Sequence, residues 1–158
     1  MYDALAAKKI FEQSSYNHCF EQQVAVALDE KVVRPPIYLS LGTEHIPPCV
    51  FTAFFRAGLL MKDYYVFPQH RCHSYYLTFG GAPISLAFEL CGDSRGCNSG
   101  MGGSASVSNT KTANLIGHSG LLGDQVPIAV GCAHASQKPT VVILGDAAAE
   151  EDYVLGAI

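Results

Sequence analysis

The 158 residues suffice for one domain with a buried core, and 49% hydrophobic against 15% charged residues leave a surface poor in charge, as where a subunit interface covers part of it. A formal net charge of −4 with no basic block excludes the electrostatic footprint of a nucleic-acid binder. No apolar run reaches the length of a membrane span, and the N-terminus lacks a secretory-signal pattern.

Residues 3–30 are Ala-rich with apolar positions at Leu5, Ile10, Phe11, Val24, Val26 and Leu28, which predicts a helix. Arg34-Pro35-Pro36 ends it, because proline cannot continue a helix and biases its predecessor towards extended geometry. Residues 37–41 read as extended. Gly42-Thr43-Glu44 then turns into a second helix over 47–60, with Thr43 a candidate cap and Pro47 and Pro48 in the first turn. Residues 63–68 predict a strand that runs directly into Gln69-His70-Arg71-Cys72-His73. Ala82-Pro83 opens an apolar helix over 84–90 that closes at Gly92. Most of the 15 glycines lie between Gly80 and Gly131, and residues 92–114 are dominated by Gly, Ser, Asn and Thr. A loop of that length in a compact domain is either functional or disordered. Gly117–Gln125 leads into a helix over 126–137, whose Ala129, Gly131, Ala133 and Ala135 suit close packing on a sheet or a second subunit.

The stretch 139–151 organises the rest. Val141 to Leu144 is a continuous apolar, β-branched run, the kind that makes a buried strand of a parallel sheet. Gly145-Asp146 breaks it and an Ala-rich, acidic segment opens a helix. In an open α/β sheet such a turn lies at the carboxyl edge, where ligands bind. Gly145 lets backbone N–H groups approach a phosphate, and Asp146 is placed either to hold the divalent cation on its oxygens or merely to cap the helix. The sequence stops soon after this motif, which predicts a fragment or the product of a split gene.

Two clusters add chemistry. His70, Arg71 and His73 follow a strand end, where a diphosphate needs a fixed cation; a surface cluster without a role is the alternative. A zinc set of His70, Cys72 and His73 puts His73 on the opposite strand face from the other two and offers no fourth ligand. Gly120 and Gly123 flank Leu121 and Leu122, so backbone carbonyls and an apolar wedge can both face a heteroaromatic ring, unless the segment is a plain helix lead-in. The six cysteines show no C-x-x-C pair and no disulfide-framework spacing, which predicts reduced thiols in a cytoplasmic protein.

The order Gly42-Thr43-Glu44, His70-Arg71-Cys72-His73-Ser74, Gly96-Cys97-Asn98-Ser99-Gly100-Met101-Gly102-Gly103-Ser104, Gly120-Leu121-Leu122-Gly123-Asp124-Gln125-Val126-Pro127 and Gly145-Asp146-Ala147 resembles one family. It is similar to the alpha subunit, in its N-terminal portion, of the thiamine-diphosphate-dependent first component of 2-oxo acid dehydrogenase complexes of the pyruvate, acetoin and branched-chain types. The resemblance covers residues 35–158. It implies the thiamine-diphosphate-binding α/β fold, a parallel sheet with flanking helices, with 1–34 as an N-terminal helical segment and 35–158 as the diphosphate and metal half of the domain. It also implies a site shared with a beta-type subunit.

Residue by residue, Arg71 matches the family arginine that contacts the diphosphate, with His70 beside it as a further cofactor contact. His73 matches the motif's histidine and is implied as the catalytic group that meets substrate. Gly120 and Leu122 match residues whose backbone holds the aminopyrimidine ring. Asp146 matches the first Mg2+ ligand, and Ala147 and Ala148 the backbone donors to the diphosphate. Glu151 matches an acidic residue of the same motif. Departures are His70 for tyrosine, Tyr38 where many members carry histidine, Ser106 for histidine, and Ala147 for the second glycine. A methyl at 147 is tolerable only where φ is negative. The asparagine completing the metal motif falls beyond Ile158.

The activity so implied is thiamine-dependent decarboxylation and acyl transfer on a 2-oxo acid, with a beta-type partner supplying the activating glutamate and an acyltransferase core receiving the product. Three alternatives stand beside it: a transketolase-like split subunit, a non-catalytic binding or assembly module of the same fold, and an unrelated nucleotide-binding protein.

Overall fold

The computed structural model describes residues 3–33, 35–117 and 119–158; Arg34 of the predicted helix stop and His118 of the glycine loop lie outside them. Helix α1 (Ala4–Asp29) starts where the Asp3 carboxylate accepts from the Leu5 N–H at 3.0 Å, an N-cap of the usual kind. Its inward residues are Asn17, Glu21 and Val24, and it packs on α2 (Ile46–Arg56) and on α3 (His73–Thr78). Helix α2 carries Pro47 and Pro48 in its first turn, where a missing N–H costs no hydrogen bond. Thr43 does not cap it. The N-cap is His45, and the Thr43 hydroxyl instead donates to the Ser40 carbonyl at 2.8 Å.

Strands β1 (Tyr65–Phe67) and β2 (Thr140–Val142) pair in parallel, in the register Tyr65–Thr140, Val66–Val141 and Phe67–Val142. Tyr65 and Phe67 use their backbone groups towards β2, so those of Val66 point the other way. There the Val66 N–H donates to the Asn114 carbonyl at 3.0 Å, and the Ile116 N–H donates to the Val66 carbonyl at 2.9 Å. Residues 114–116 therefore flank β1 as a third parallel segment, with β1 in the centre and α5 (Gln125–Ser136) linking 114–116 to β2. Central position explains burial: Val66 and Phe67 are sealed, whereas every residue of β2 is half-buried. The core gathers on β1 and α3, with the Phe54 ring stacked on Tyr64 at 4.1 Å between centroids and Phe51 edge-on to Phe79 at 5.6 Å.

Several expectations are corrected. Residues 37–40, expected with Leu41 to be extended, belong to no helix or ladder, and Leu41 already lies in the turn that precedes α2. The segment after β1 leaves strand geometry and enters α3 at His73. The helix expected from Asp146 is two single turns, α6 (Asp146–Ala149) and α7 (Asp152–Leu155), because Glu151 is extended at φ −67°, ψ 139°. Helix α4 (Pro83–Leu90) forms as read from the sequence. No helix among the described residues is long and apolar enough to cross a membrane.

Candidate functional site

Parallel strands share one carboxyl edge, and here all three segments deliver a motif to it. Phe67 is followed by Gln69, His70 and Arg71, Ile116 by the glycine loop 117–125, and Val142 by Gly145, Asp146 and Ala147. Two glutamines stitch the edge together. The Gly145 N–H donates to Gln69 Oε1 at 2.7 Å, and Gln125 Nε2 donates to the Ile143 carbonyl at 3.1 Å. The remaining polar atoms of these side chains, Gln69 Nε2 and Gln125 Oε1, are buried without a protein partner. Buried groups of that kind cost on the order of 1–3 kcal/mol each, so such an edge favours a polar ligand.

The glycine loop is closed from beneath by α7. Tyr153 donates its hydroxyl to the Leu122 carbonyl, and Ser119 donates to the Asp124 carboxylate. Gly123 has φ +95°, and a Cβ there would lie 2.8 Å from Val154 Cγ2; glycine is required on both counts. Gly120, at φ +112°, faces open space, while Leu121 and Leu122 are 63% and 42% exposed. The loop thus presents an apolar wedge, as its sequence predicts, but the Leu122 carbonyl is already engaged.

Asp146 occupies the first position of α6 and is exposed, with Gly145 as N-cap at φ −80°. Ala147 lies inside that helical turn and is absent from the positive-φ residues, so its methyl group is accommodated. The N–H groups of Asp146, Ala147 and Ala148 have no acceptor among the described residues, as expected of a first helical turn. These residues fit a diphosphate. They do not complete a metal site. Among the described residues no group of three His, Cys, Asp or Glu is placed to hold an ion, so Asp146 stands as a single carboxylate and the zinc set of His70, Cys72 and His73 is not formed. Cys72 is buried against the Ser104 carbonyl at 3.4 Å, and burial pushes its thiol up to about 12.

Arg71 is exposed. Its Nη1 donates to the Leu39 carbonyl at 2.8 Å, and its own carbonyl accepts from the Ser40 hydroxyl at 3.3 Å. His70 lies edge-on to Tyr38 with centroids 4.9 Å apart. Residues 38–40 are therefore held against 70 and 71 without a strand ladder. His73 does not join them at the surface. It is 0% exposed, with Nδ1 at 3.1 Å from Glu21 Oε1 and Nε2 at 2.8 Å from Ser104 Oγ. The catalytic role expected of His73 thus falls on a buried side chain, both of whose ring nitrogens are engaged between Glu21 of α1 and Ser104 of the glycine-rich loop.

That loop is organised by a residue sequence reading passed over. Glu89, 1% exposed on α4, takes four backbone N–H groups: Asn98 at 2.7 Å and Gly100 at 2.9 Å on Oε2, Gly102 at 2.7 Å and Gly103 at 3.0 Å on Oε1. Residues 98–103 of the glycine-rich loop are thus wrapped on a carboxylate. The available signal was a lone charge inside the apolar run Ile-Ser-Leu-Ala-Phe-Glu-Leu of α4. Gln69, Gln125 and Ser104 carried no such signal.

A parallel α/β edge with a glycine loop, an exposed arginine and a Gly-Asp turn is the class of arrangement in which open α/β folds hold phosphorylated cofactors. The Dehydrogenase E1 component family matches residues 50–158, and the chain belongs to that family. Its fold is the thiamine-diphosphate-binding α/β fold, with the parallel sheet and flanking helices the motifs imply. Among its relatives is the mitochondrial pyruvate dehydrogenase E1 component subunit alpha of Chaetomium thermophilum, 31% identical over 165 residues, covering 99% of this chain and 38% of that protein. The mitochondrial subunit alpha-1 of Oryza sativa subsp. japonica is 32% identical over 133 residues, covering 81% of this chain and 32% of the relative. The mitochondrial subunit alpha of Dictyostelium discoideum is 28% identical over 133 residues, covering 81% and 33% respectively. The chain therefore spans about a third of the length of these relatives. Their names correct the cytoplasmic placement expected from the cysteines. All three are mitochondrial, and free thiols, which all six cysteines carry, do not say which compartment holds a protein.

Proposed function

We propose that this chain is the cofactor-diphosphate portion of an alpha-type subunit of a thiamine-diphosphate-dependent 2-oxo acid dehydrogenase, active only with a beta-type partner. The observation that supports it is the convergence of the three motif segments on one carboxyl edge, tied by the Gln69–Gly145 hydrogen bond. In this reading Arg71, beside His70, offers its guanidinium to the diphosphate, and the amides of Ala147 and Ala148 donate to the same group. Gly120 and Leu122 line the ring, and Asp146 is one ligand of a Mg2+ site completed by groups outside this set. When bound, the cofactor supplies a carbanion that adds to the 2-oxo acid and a ring that accepts its electrons. The acyl acceptor is the disulfide of an acyltransferase core. Residues 35–158 form the cofactor domain, and 1–34 a helical segment docked on it through α1.

The half-open outer face of α5 supports the requirement for a partner, with Ile128 at 54% and Val130 at 41% exposed on the helix that starts at the site. The non-catalytic assembly reading loses one of its grounds, since Ala147 sits in a helical turn that accepts it. Calorimetry of thiamine diphosphate with Mg2+, on the chain alone and mixed with a beta-type subunit, tests the reading. Binding seen in the mixture and lost in Asp146→Ala supports it. Absence of binding in both overturns it in favour of the assembly module.

A further inference from the structure

Ser104 is 2% exposed, and two distant parts of the chain meet at its hydroxyl group. The Tyr38 N–H donates to Ser104 Oγ at 2.8 Å, and Ser104 Oγ lies 2.8 Å from His73 Nε2. The Glu21 carboxylate can only accept, so His73 Nδ1 carries the proton shared with it at 3.1 Å, and in the neutral imidazole Nε2 accepts from Ser104. One and two residues upstream, Glu89 fixes the N–H groups of Gly103 and Gly102. One residue downstream of Tyr38, the Leu39 carbonyl holds Arg71 Nη1.

We propose that Ser104 is a positioning residue for Arg71: through Tyr38 it fixes the Leu39 carbonyl that orients the guanidinium at the cofactor edge, while Glu21, His73 and Glu89 fix Ser104 from behind. The inference rests on the reading that Arg71 meets a diphosphate. It gives His73 a role consistent with complete burial, as the rigid link between the N-terminal helix and the site. Residues 37–41 pair with no strand among the described residues, so this hydroxyl supplies the anchor that a strand ladder would otherwise give.

The test is a double-mutant cycle on inorganic pyrophosphate affinity, measured by calorimetry on the full chain with its beta-type partner. Ser104→Ala is expected to weaken pyrophosphate about five- to tenfold in the parent and less than about twofold in an Arg71→Ala background. Ser104→Thr, which keeps the hydroxyl, is expected to restore affinity; if Ser104→Ala fails to fold, Ser104→Cys, a weaker acceptor, takes its place in the cycle. A second arm needs no ligand. Phenylglyoxal modification of Arg71, followed by peptide mass mapping, is expected to quicken when the Leu39 anchor is loosened. Equal loss of affinity in both backgrounds, or an unchanged modification rate in Ser104→Ala, overturns the inference. An Arg71→Ala variant that binds pyrophosphate as well as the parent overturns the diphosphate reading instead, and the modification arm still judges the role of Ser104.

Discussion

Replacing Glu89 by glutamine keeps the shape of the side chain and removes half of its function as an acceptor. The carboxylate serves four N–H groups with two oxygens at 2.7–3.0 Å. Glutamine offers one oxygen, so two of the amides face an NH2 group that can only donate. An orphaned buried donor costs about 1–3 kcal/mol, and because these bonds are part-buried and water reaches the loop rim the lower half applies, giving about 2–4 kcal/mol in all. For a chain of 158 residues that corresponds to a fall in Tm of about 4–16 °C. Urea unfolding followed by circular dichroism measures the energy, and native-state amide exchange at 98, 100, 102 and 103 locates it. The exposed pair partner Glu12, 3.7 Å from Lys8, provides the control, since Glu12→Gln is expected to change stability by less than about 0.5 kcal/mol. An E89Q protein within about 0.5 kcal/mol of the parent, with unchanged exchange at the four amides, would refute the reasoning.

Gly123→Ala is expected to destabilise by about 1–3 kcal/mol, since it combines a left-handed φ with a contact at 2.8 Å to Val154; urea midpoints check it, and Gly131→Ala, which meets open space on α5, serves as the tolerated comparison. Burial pushes the Glu44 carboxyl up, but the hydrogen bond to His18 at 2.7 Å and the backbone N–H groups of Glu44 and Gly42 outweigh it and bring it below 4.5. A lowered folded-state value means stability that is present above the unfolded value and lost as pH falls through the folded one, so Glu44→Gln is expected to flatten the acid side of the stability curve; urea midpoints between about pH 6 and pH 3 decide it. Cys72, whose thiol burial raises to about 12, is expected to resist iodoacetamide in the native protein while the exposed Cys19, Cys49 and Cys91 react; peptide mass mapping after a timed pulse reads this out.

Segments whose local pattern and final environment agree were legible in the sequence. The run from Val141 to Leu144 supplies β2 at 140–142, though half-buried rather than buried, and the proline pair opens α2. Where tertiary contacts decide, the pattern misled. The strand expected over 63–68 was read as running straight into 69–73, yet the chain turns into α3 at His73 and buries all six of its residues, with α1 and α2 packed on it. Glu21 and Glu89 look like solvent-facing charges in their helices because sequence periodicity contains no term for amides arriving from 9 to 14 residues away or an imidazole from 52. His73 stands in a motif that the sequence makes visible, but its burial is not visible there. Its enclosure depends on a serine 31 positions later, which no local signal could announce.

The Gln69–Gly145 hydrogen bond spans 76 residues, and the central strand waits as long for its partner β2. At a synthesis rate of 5–20 residues per second, β1 emerges from the ribosome about 4–15 s before the segment that covers its second side. During that interval Tyr65 and Phe67 offer open backbone groups and aromatic surface to any passing strand, and the ligand edge does not yet exist. The geometry that lets three distant motifs meet at one line therefore leaves the nascent chain with an uncovered strand, and the proposed cofactor edge can form only after nearly the whole of these residues has been made.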